Sequence, residues 1–400
     1  MESIVCLPPR AARPRWRTSC RERSTKLLPD VARIAQTEVP AASRHGRLSL
    51  DAFLKVSRRP LPSSATILPL GPPPLTGTLF LDTETTGLSG GTGTMAFLVG
   101  LGFFEGERFR ILQLFLRDPG DEPAMLQFLE EFLPRFSLLV TFNGRGFDLP
   151  ILEARFILAR RPFPLAATPH LDLLPPARRL WRERLPSRAL TALERDVLGV
   201  LRDQEDIPSG VIPLVYRDYL RTGDARELPR IFYHNRMDIL SMVTLAARMG
   251  SALAEPAGDL DLCGEELLAL ARWYEEAGWD AEPVLREVLR RKTSPVVRAR
   301  ALRDLGASLR RRGEWGASVE IWQQLALERP DDVLPAVELA KVYEWHLARP
   351  ALALAWARQA LARAQRLPPG PHREQVVSEL CHRIARLEGR LTRPVCPRLL

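Results

Sequence analysis

Cysteine is scarce in this chain of 400 residues, and its spacing follows no pattern known for metal or disulfide chemistry. The five cysteines form no Cys-x-x-Cys motif and no paired spacing. A zinc site or a disulfide framework would need such spacings. We therefore expect reduced thiols at all five positions, which are Cys6, Cys20, Cys263, Cys381 and Cys396.

The sequence also lacks a long apolar run, and we expect no secretory leader. No apolar stretch reaches the roughly 20 residues that a membrane-spanning helix needs. The N-terminus is rich in arginine and interrupted by proline, without the apolar segment of a signal peptide. With 46% apolar and 26% charged residues, the composition is that of an ordinary globular protein. We therefore expect a cytoplasmic protein with no membrane association.

The positive charge is unevenly distributed. The net charge is +9, and residues 1–75 account for most of it, with 13 Lys or Arg against 5 Asp or Glu. A basic arm of this kind can bind nucleic acid by neutralising phosphates. Because Trp16 and Phe53 are the only aromatic residues of this segment, a solvated and disordered tail remains the alternative. We take residues 1–75 as a basic, Pro/Arg-rich arm that is disordered.

Residues 76–252 have the periodicity of a mixed α/β domain. "TLFLD", "TMAFLVGLGFFEG" and "RFRILQLFLRD" predict three strands, and "SLLVTFNG" and "HLDLL" predict two more. "EPAMLQFLEEFLPRF" and "FDLPILEARFILARR" have helical spacing. The predicted order is β-β-β-α-β-α-β, a sheet flanked by helices. Three further helices should end at Gly199, Gly223 and Gly250, since glycine after the last apolar residue stops a helix.

Residues 262–392 are predicted to be all-helical. Helical pairs turn at Gly278, at Gly313 and near Leu347, a period of about 34 to 35 residues. That period, and the "LG…G-W…A…P" pattern of the middle pair, resemble tetratricopeptide repeats. Three such units would stack into a small solenoid that can bind a protein partner. An irregular helical bundle is the alternative.

Two carboxylates end the first strand of the α/β domain. Asp82 and Glu84 are two apart on extended chain, so both project from one face of the sheet. Two like charges placed together are costly unless a cation neutralises them. Oxygen ligands of this type suit Mg²⁺ or Mn²⁺. A solvated turn or a helix cap would be the alternative for this pair alone.

Two later motifs add acids. "TFNGRGFDLPIL" places Asp148 just after the fourth strand, where it could also cap a helix. "YHNRMDIL" places Asp238 in a helix among apolar residues, where an acid requires a partner. His234 precedes Asp238 by four positions and so shares its helix face. The pair could alternatively be an ordinary surface contact.

Taken together, "DTETTGL", "FNGRGFDLPIL" and "HNRMDIL" resemble the three signatures of the DEDD (DnaQ-like) 3′–5′ exonucleases of the ribonuclease-H-like superfamily. With "SGGTGTMAFLVG" after the first motif, the chain looks most like the YprB-type subgroup. The resemblance covers about residues 77–250. It implies a ribonuclease-H-like fold and nuclease activity on the 3′ end of DNA or RNA. It also implies that Asp82, Glu84, Asp148 and Asp238 hold two Mg²⁺ or Mn²⁺ ions, and that His234 is the general base.

The last motif departs from the family pattern. The family has either His five residues before the Asp or Tyr four before it, whereas here His234 is four before Asp238 and Tyr233 is five before. On a helix, His234 lies about 40° from Asp238 and Tyr233 about 140° away. If the helix has begun by residue 233, only His234 faces the acids. An imidazole also titrates near neutral pH and a phenol does not. We therefore favour His234, with a helix-start hydrogen bond as its alternative role.

The loop "TTGLSGGTGT" follows the first two acids. Its glycines allow backbone N–H groups to approach a substrate phosphate, although they could simply make a tight connection. The loop has no Lys in a Gly-Lys-Ser/Thr context, which excludes a Walker loop. The candidate substrate-binding residues are Thr85, Gly87, Asn143 and Arg145. His170 and Asp172 are interpreted as structural or supporting residues. Phe142 and Phe147 are interpreted as core residues, with stacking on a base as the alternative.

Two other functions remain open from sequence. In the first, the nuclease-like domain is catalytically weak and only binds nucleic acid, while the helical repeats recruit a protein partner. All four acids are present, which favours activity. In the second, the same fold is a structure-selective endonuclease, since a fold does not determine the substrate.

Overall fold

The computed structural model describes residues 2–5, 33–56, 77–87, 93–203, 206–258 and 260–392, with only the backbone for residues 2–5 and 33. The chain forms two compact units, residues 1–255 and 256–400. Of the five cysteines, Cys263 and Cys381 lie in the described part and are free thiols. The other three lie outside it.

The described residues of the first unit contain nine strands. Their bounds are β1 Glu2–Val5, β2 Arg33–Pro40, β3 Arg44–His45, β4 Leu48–Ser49, β5 Thr78–Thr85, β6 Ala96–Glu105, β7 Arg108–Phe115, β8 Leu138–Thr141 and β9 His170–Asp172. Seven of them form one mixed sheet in the order β1-β2-β7-β6-β5-β8-β9, and β3 and β4 form a separate hairpin. β5 pairs in parallel with β8, and β8 with β9, while the other pairs are antiparallel. The carboxyl-terminal ends of β5 and β8 therefore lie next to each other.

Seven α-helices accompany the sheet within the part of the chain that the structure describes. They are α1 Ala52–Val56, α2 Glu122–Phe132, α3 Asp148–Leu158, α4 Leu174–Leu180, α5 Leu190–Leu193, α6 Ile212–Thr222 and α7 Leu228–Ala254, and a π-helical turn Glu194–Leu198 continues α5. The predicted order β-β-β-α-β-α-β is confirmed from β5 to β9. Leu79 and Leu81 of β5 pack with Leu126, Leu129 and Leu152 of α2 and α3 in one fully buried core. Phe80, between them, points to the opposite face, as strand geometry requires.

The prediction that no apolar run is long enough to span a membrane needs correction at α7. This helix of 27 residues is long and apolar enough to do so by length and composition alone. However, 72% of its most apolar stretch is buried inside the fold. A core helix passes the same test, because burial against a sheet selects the same apolar side chains.

Two of the predicted helix ends are confirmed and one is wrong. Gly199 and Gly223 follow their helices with φ of 69° and 74°, the left-handed cap that glycine favours. By contrast, Gly250 lies inside α7, which continues to Ala254. A Cβ at this glycine would lie 2.4 Å from Cγ1 of Val56, so the glycine allows α1 to approach α7 closely.

The interpretation of residues 1–75 as a disordered arm is wrong for residues 33–56. β2 pairs with the whole length of β7, from Arg33 opposite Phe115 to Pro40 opposite Arg108. Phe53 of α1 packs edge-on against Phe80, with ring centroids 5.2 Å apart. Although the segment carries several charges, its strand β2 extends the sheet beyond β7, and Phe53 of α1 packs on the face of the sheet that carries Phe80. Residues 6–32 and 57–76 lie outside the described part.

The second unit is helical where it is described. Its helices are α8 Gly264–Glu276, α9 Glu282–Arg290, α10 Pro295–Arg311, α11 Trp315–Glu328, α12 Val333–Trp345, α13 Pro350–Ala364 and α14 Pro371–Thr392. The predicted turns fall between consecutive helices, and Gly278 and Gly313 have left-handed φ values of 75° and 79°. The tetratricopeptide assignment itself stays a prediction.

Candidate active site

The first two acids lie near the end of β5. Asp82 is opposite Gly100 of β6, and Glu84 is opposite Leu98. Glu84 is buried and Asp82 is half-buried. As predicted from their spacing, both belong to the same face of the strand, since Thr83 lies between them.

Asp148 reaches the same strand end from α3, of which it is the first residue. One carboxylate oxygen, Oδ1, accepts hydrogen bonds from the backbone N of Thr83 at 3.0 Å and from its Oγ1 at 2.5 Å. The side chain is buried, with 4% exposed. It is therefore tied to β5, and its second oxygen can take another partner.

α7 delivers three further groups to this point. Asn235 Nδ2 donates to Asp82 Oδ2 at 2.8 Å, and Gln113 of β7 donates to Asn235 Oδ1 at 2.9 Å. His234 Nε2 lies 3.7 Å from Asp238 Oδ2, so these two share a helix face as predicted. The helix can lie this close to β6 because a Cβ at Gly100 would come within 2.2 Å of Asn235 Oδ1.

Tyr233 is directed elsewhere. α7 begins at Leu228, so residue 233 is already helical. The Tyr233 hydroxyl accepts from the backbone N of Asp203 at 3.3 Å. The helix has therefore begun before residue 233, which is the condition under which only His234 faces the acids. The catalytic role of either residue stays a prediction.

Arg202 supplies a positive charge to the acids. Its guanidinium donates to Asp238 Oδ1, and it forms two bonds with Glu194, from Nε at 2.7 Å and from Nη2 at 2.6 Å. The Arg202 side chain is only 8% exposed. Although burial lowers it, the hydrogen bonds and charges of Glu194 and Asp238 raise the pKa of Arg202 above its ordinary value. Arg202 is therefore a permanent cation in the site.

The pKa values of the other three acids, Asp82, Glu84 and Asp148, are raised in spite of their favourable partners. Burial and the neighbouring charges of Asp238, Glu84 and Asp148 raise the pKa of Asp82 well above its ordinary value. Burial and the charges of Asp238 and Asp148 do the same to the pKa of Glu84. Burial raises the pKa of Asp148 to about 6, against the hydrogen bonds from Thr83. These mutual effects place the four predicted acids in one electrostatic cluster.

The donor chemistry of this cluster fits a divalent cation, but the side chains are not assembled around one. Within the described ranges, no group of three or more His, Cys, Asp or Glu is placed so that it could hold a metal ion. Each of the three aspartates has one carboxylate oxygen that accepts a hydrogen bond from the protein. Asp82 accepts from Asn235, Asp148 from Thr83, and Asp238 from Arg202. Hydrogen bonds of this kind orient carboxylates toward a shared centre. The remaining oxygens and Glu84 are the hard ligands that Mg²⁺ or Mn²⁺ prefers.

The proposed substrate-binding residues lie at the ends of β5 and β8. Thr85 Oγ1 donates to the carbonyl of Gly87 at 2.7 Å. Asn143 has a left-handed φ of 67°, and its N donates to Asp172 Oδ1 at 2.7 Å. The exposed Arg145 donates from Nη2 to the carbonyl of His170 at 2.9 Å. Residues 88–92 of the glycine-rich loop lie outside the described part, so the structure does not bear on the loop's role.

Asp172 organises the loop after β8. Besides Asn143, it accepts from the N of Arg145 at 3.1 Å and from the N of Leu174 at 3.0 Å. His170 contacts Thr141 Oγ1 at 2.8 Å, and burial lowers the pKa of its imidazole to about 4. Asp172 and His170 therefore contact the protein's own loop and strand, as expected of supporting residues.

Several residues of the site were not singled out from sequence, among them Glu194, Arg202, Asp206 and Asn235. The first three come from the π-turn and the following loop, which the motifs do not include. Asn235 lies within "HNRMDIL", directly after the predicted base. Its position next to His234 is the one sequence signal that could have indicated it.

The comparisons with known proteins agree with this fold. Residues 79–250 match the model of the RNase_H superfamily. The chain is 32% identical over 315 residues to the "Uncharacterized protein YprB" of Bacillus subtilis (strain 168), which covers 77% of this chain and 74% of that protein. The chain belongs to the ribonuclease H superfamily and is a homologue of YprB. The predicted fold class, a ribonuclease-H-like domain followed by a helical region, is confirmed.

Among solved structures, the family B DNA polymerase of the hyperthermophilic archaeon Pyrobaculum calidifontis is similar to part of this ribonuclease H superfamily member. The likeness covers 51% of this chain but only 29% of the polymerase, at 19% identity and a TM-score of 0.35. At that score the likeness carries no argument about function.

Proposed function

We propose that this protein is a metal-dependent 3′–5′ exonuclease that hydrolyses phosphodiester bonds of nucleic acid. The observation that carries the proposal is the cluster of four acids, in which three aspartates each have one oxygen held by a protein donor. Membership of the ribonuclease H superfamily supports a nuclease, a hydrolase, as the coarser conclusion. The preference for a 3′ end, and for DNA or RNA, is the part that experiment must establish.

Asp82, Glu84, Asp148 and Asp238 would hold two divalent ions, Mg²⁺ or Mn²⁺. When bound, two such ions supply the positive charge that phosphodiester hydrolysis requires. The protein's own contribution begins with binding, because Thr85, Gly87, Asn143 and Arg145 line the strand ends where a terminal nucleotide would lie. His234 would then remove a proton from the attacking water at Nε2. Asn235, Thr83 and Arg202 keep the carboxylates oriented during these events.

The decisive experiment compares Asp82→Ala with the unmodified protein on end-labelled single- and double-stranded DNA and RNA. We expect Mg²⁺- or Mn²⁺-dependent shortening from the 3′ end, which EDTA or the substitution abolishes while the circular dichroism spectrum is unchanged. Asp218→Ala, at an exposed position on α6, is the matched control and should cleave normally. Cleavage that survives both EDTA and Asp82→Ala would refute the assignment.

The same assay separates the two alternatives. Equal cleavage of substrates with free and blocked 3′ ends would indicate an endonuclease. Binding without cleavage would favour a nucleic-acid-binding adaptor whose helical region recruits a protein partner. That partner, and a cytoplasmic location, remain part of the proposal.

A further inference from the structure

The two ring nitrogens of His234 have different surroundings. Nδ1 lies 2.8 Å from Asp206 Oδ1 and 3.1 Å from Arg202 Nη1. Nε2 lies 3.2 Å from Ser209 Oγ and, as noted, 3.7 Å from Asp238 Oδ2. The ring is 3% exposed, so these neighbours determine which nitrogen carries the proton of the neutral imidazole.

Asp206, the nearer of the two neighbours of Nδ1, favours a proton on that atom. A carboxylate only accepts and a guanidinium only donates. If Nδ1 were unprotonated, its lone pair would face the Asp206 carboxylate at 2.8 Å, an unfavourable contact. If Nδ1 is protonated, it donates to Asp206, and Arg202 Nη1 can donate to the same oxygen at 3.3 Å. The Ser209 hydroxyl fits either form, because it both donates and accepts.

Asp206 is itself held in place. The carbonyl of Asp206 accepts from Arg230 Nη2 at 2.8 Å. Arg202 is anchored by its two bonds to Glu194, and Glu194 accepts from Ser241 Oγ at 2.6 Å. Asp206, whose carboxylate faces Nδ1, is thus held by Arg230 and Arg202, and Arg202 is in turn bonded to the buried Glu194.

We propose that Asp206 is a positioning residue: it keeps the proton of His234 on Nδ1, so that Nε2 is the unprotonated nitrogen directed toward Asp238. This inference rests on the proposed function, in which Nε2 of His234 is the base. It explains how a histidine at an unusual spacing within the motif can present the correct nitrogen. The hydrogen bond of an outer partner commonly sets the tautomer and orientation of a functional imidazole.

The test uses the full-length, metal-free protein labelled with ¹³C,¹⁵N-histidine, at about pH 8, above the ordinary histidine range. The chain has only 6 histidines, and the ring signals of His234 are assigned by their loss in His234→Ala. We expect shifts of the Nδ1-protonated form in the unmodified protein. In Asp206→Ala the remaining neighbour of Nδ1 is Arg202, a donor, so the shifts should change to the Nε2-protonated form.

Activity and metal binding complete the test. Asp206→Ala should lower kcat by about 10- to 100-fold, the usual effect of losing such a partner. Its KM and its Mn²⁺ affinity should stay close to normal. Asp206→Asn, which keeps one acceptor oxygen, should restore the tautomer and part of the rate, and it serves if the alanine variant folds poorly. Asp218→Ala is the matched control.

Two outcomes are distinguishable. An Nε2-protonated ring in the unmodified protein, or an unchanged tautomer in Asp206→Ala, would overturn the role of Asp206 and leave the nuclease proposal intact. Normal cleavage by His234→Ala, with Tyr233→Phe strongly impaired, would instead remove His234 as the base. We expect the reverse, a loss of about 10²- to 10⁴-fold for His234→Ala and little effect of Tyr233→Phe.

Discussion

At the residue scale, the site depends on one buried chain of polar contacts. Asp238 pairs with Arg202, Arg202 with Glu194, Glu194 with Ser241, and Ser241 Oγ lies 2.7 Å from Nε2 of His45. Burial raises the pKa of Glu194 in spite of Arg202, so this carboxylate depends on its partners. Removing Arg202 would leave the buried Glu194 carboxylate without its cation, which is strongly destabilising. This series of polar contacts therefore connects Asp238 of the acid cluster to His45.

The end of this chain makes a prediction about pH. Burial, and then the charge of Arg202, lower the pKa of His45 from 6.5 to about 4. The unfolded state thus binds a proton between these values that the folded state does not. Stability from this group is complete above about pH 6.5 and is lost as the pH falls toward 4, on the order of 3 kcal/mol. Urea denaturation across this range should show a flatter pH dependence in His45→Gln.

The control for this prediction is His382→Gln, since His382 is exposed on α14. Its pH dependence should match that of the unmodified protein. An equally steep dependence in His45→Gln would show that other groups account for the acid sensitivity.

At the element scale, the strand order and the strand-end acids could be predicted because both follow from local patterns. Alternating and helical periodicities located β5 to β9, α2 and α3, and the spacing of Asp82 and Glu84 fixed their common face. Arg202 could not be predicted, because its partners Glu194, Asp238 and His234 meet it only through tertiary packing. The end of α7 was missed for the same reason: Gly250 meets Val56, a residue nearly 200 positions earlier.

The approach of α7 to the sheet makes a second prediction. In Gly100→Ala, the new Cβ would lie 2.2 Å from Asn235 Oδ1 and 2.6 Å from Ile239 Cδ1, so these side chains or α7 itself must shift. Overpacking of this kind costs about 1–3 kcal/mol. Because Asn235 holds Asp82, we expect cleavage to fall by more than the loss of folded protein explains. Thermal denaturation and cleavage rates per folded molecule measure the two effects.

Gly389→Ala is the matched control, because a Cβ there meets nothing within 4 Å and the residue lies within a helix. It should leave cleavage unchanged and stabilise the protein slightly, if at all. Wild-type stability in Gly100→Ala would show that the contact between α7 and β6 is looser than these distances indicate.

At the scale of the whole molecule, the candidate site residues all belong to the first of the two compact units. Each acid of the cluster, with Arg202, Asp206 and His234, belongs to residues 1–255. Composition misled the sequence prediction for residues 33–56, because the arginines and prolines of the surrounding segment concealed the strand and helix within it. Those residues supply the partner strand of β7 and the aromatic cover of β5, both of which are long-range contacts.

The last prediction concerns truncation. A protein of residues 1–255 should fold and retain the cleavage activity, because it keeps the whole site. A protein of residues 77–255 should be much less stable, because it loses the pairing of β2 with β7 and exposes a long sheet edge. It also uncovers Phe80 and Phe104, whose ring centroids lie 5.2 and 6.1 Å from that of Phe53. Circular dichroism melting and gel filtration of both proteins provide the measurement. Equal stability of the two would show that residues 33–56 are dispensable, and loss of activity in a well-folded 1–255 protein would show that the helical unit completes the site.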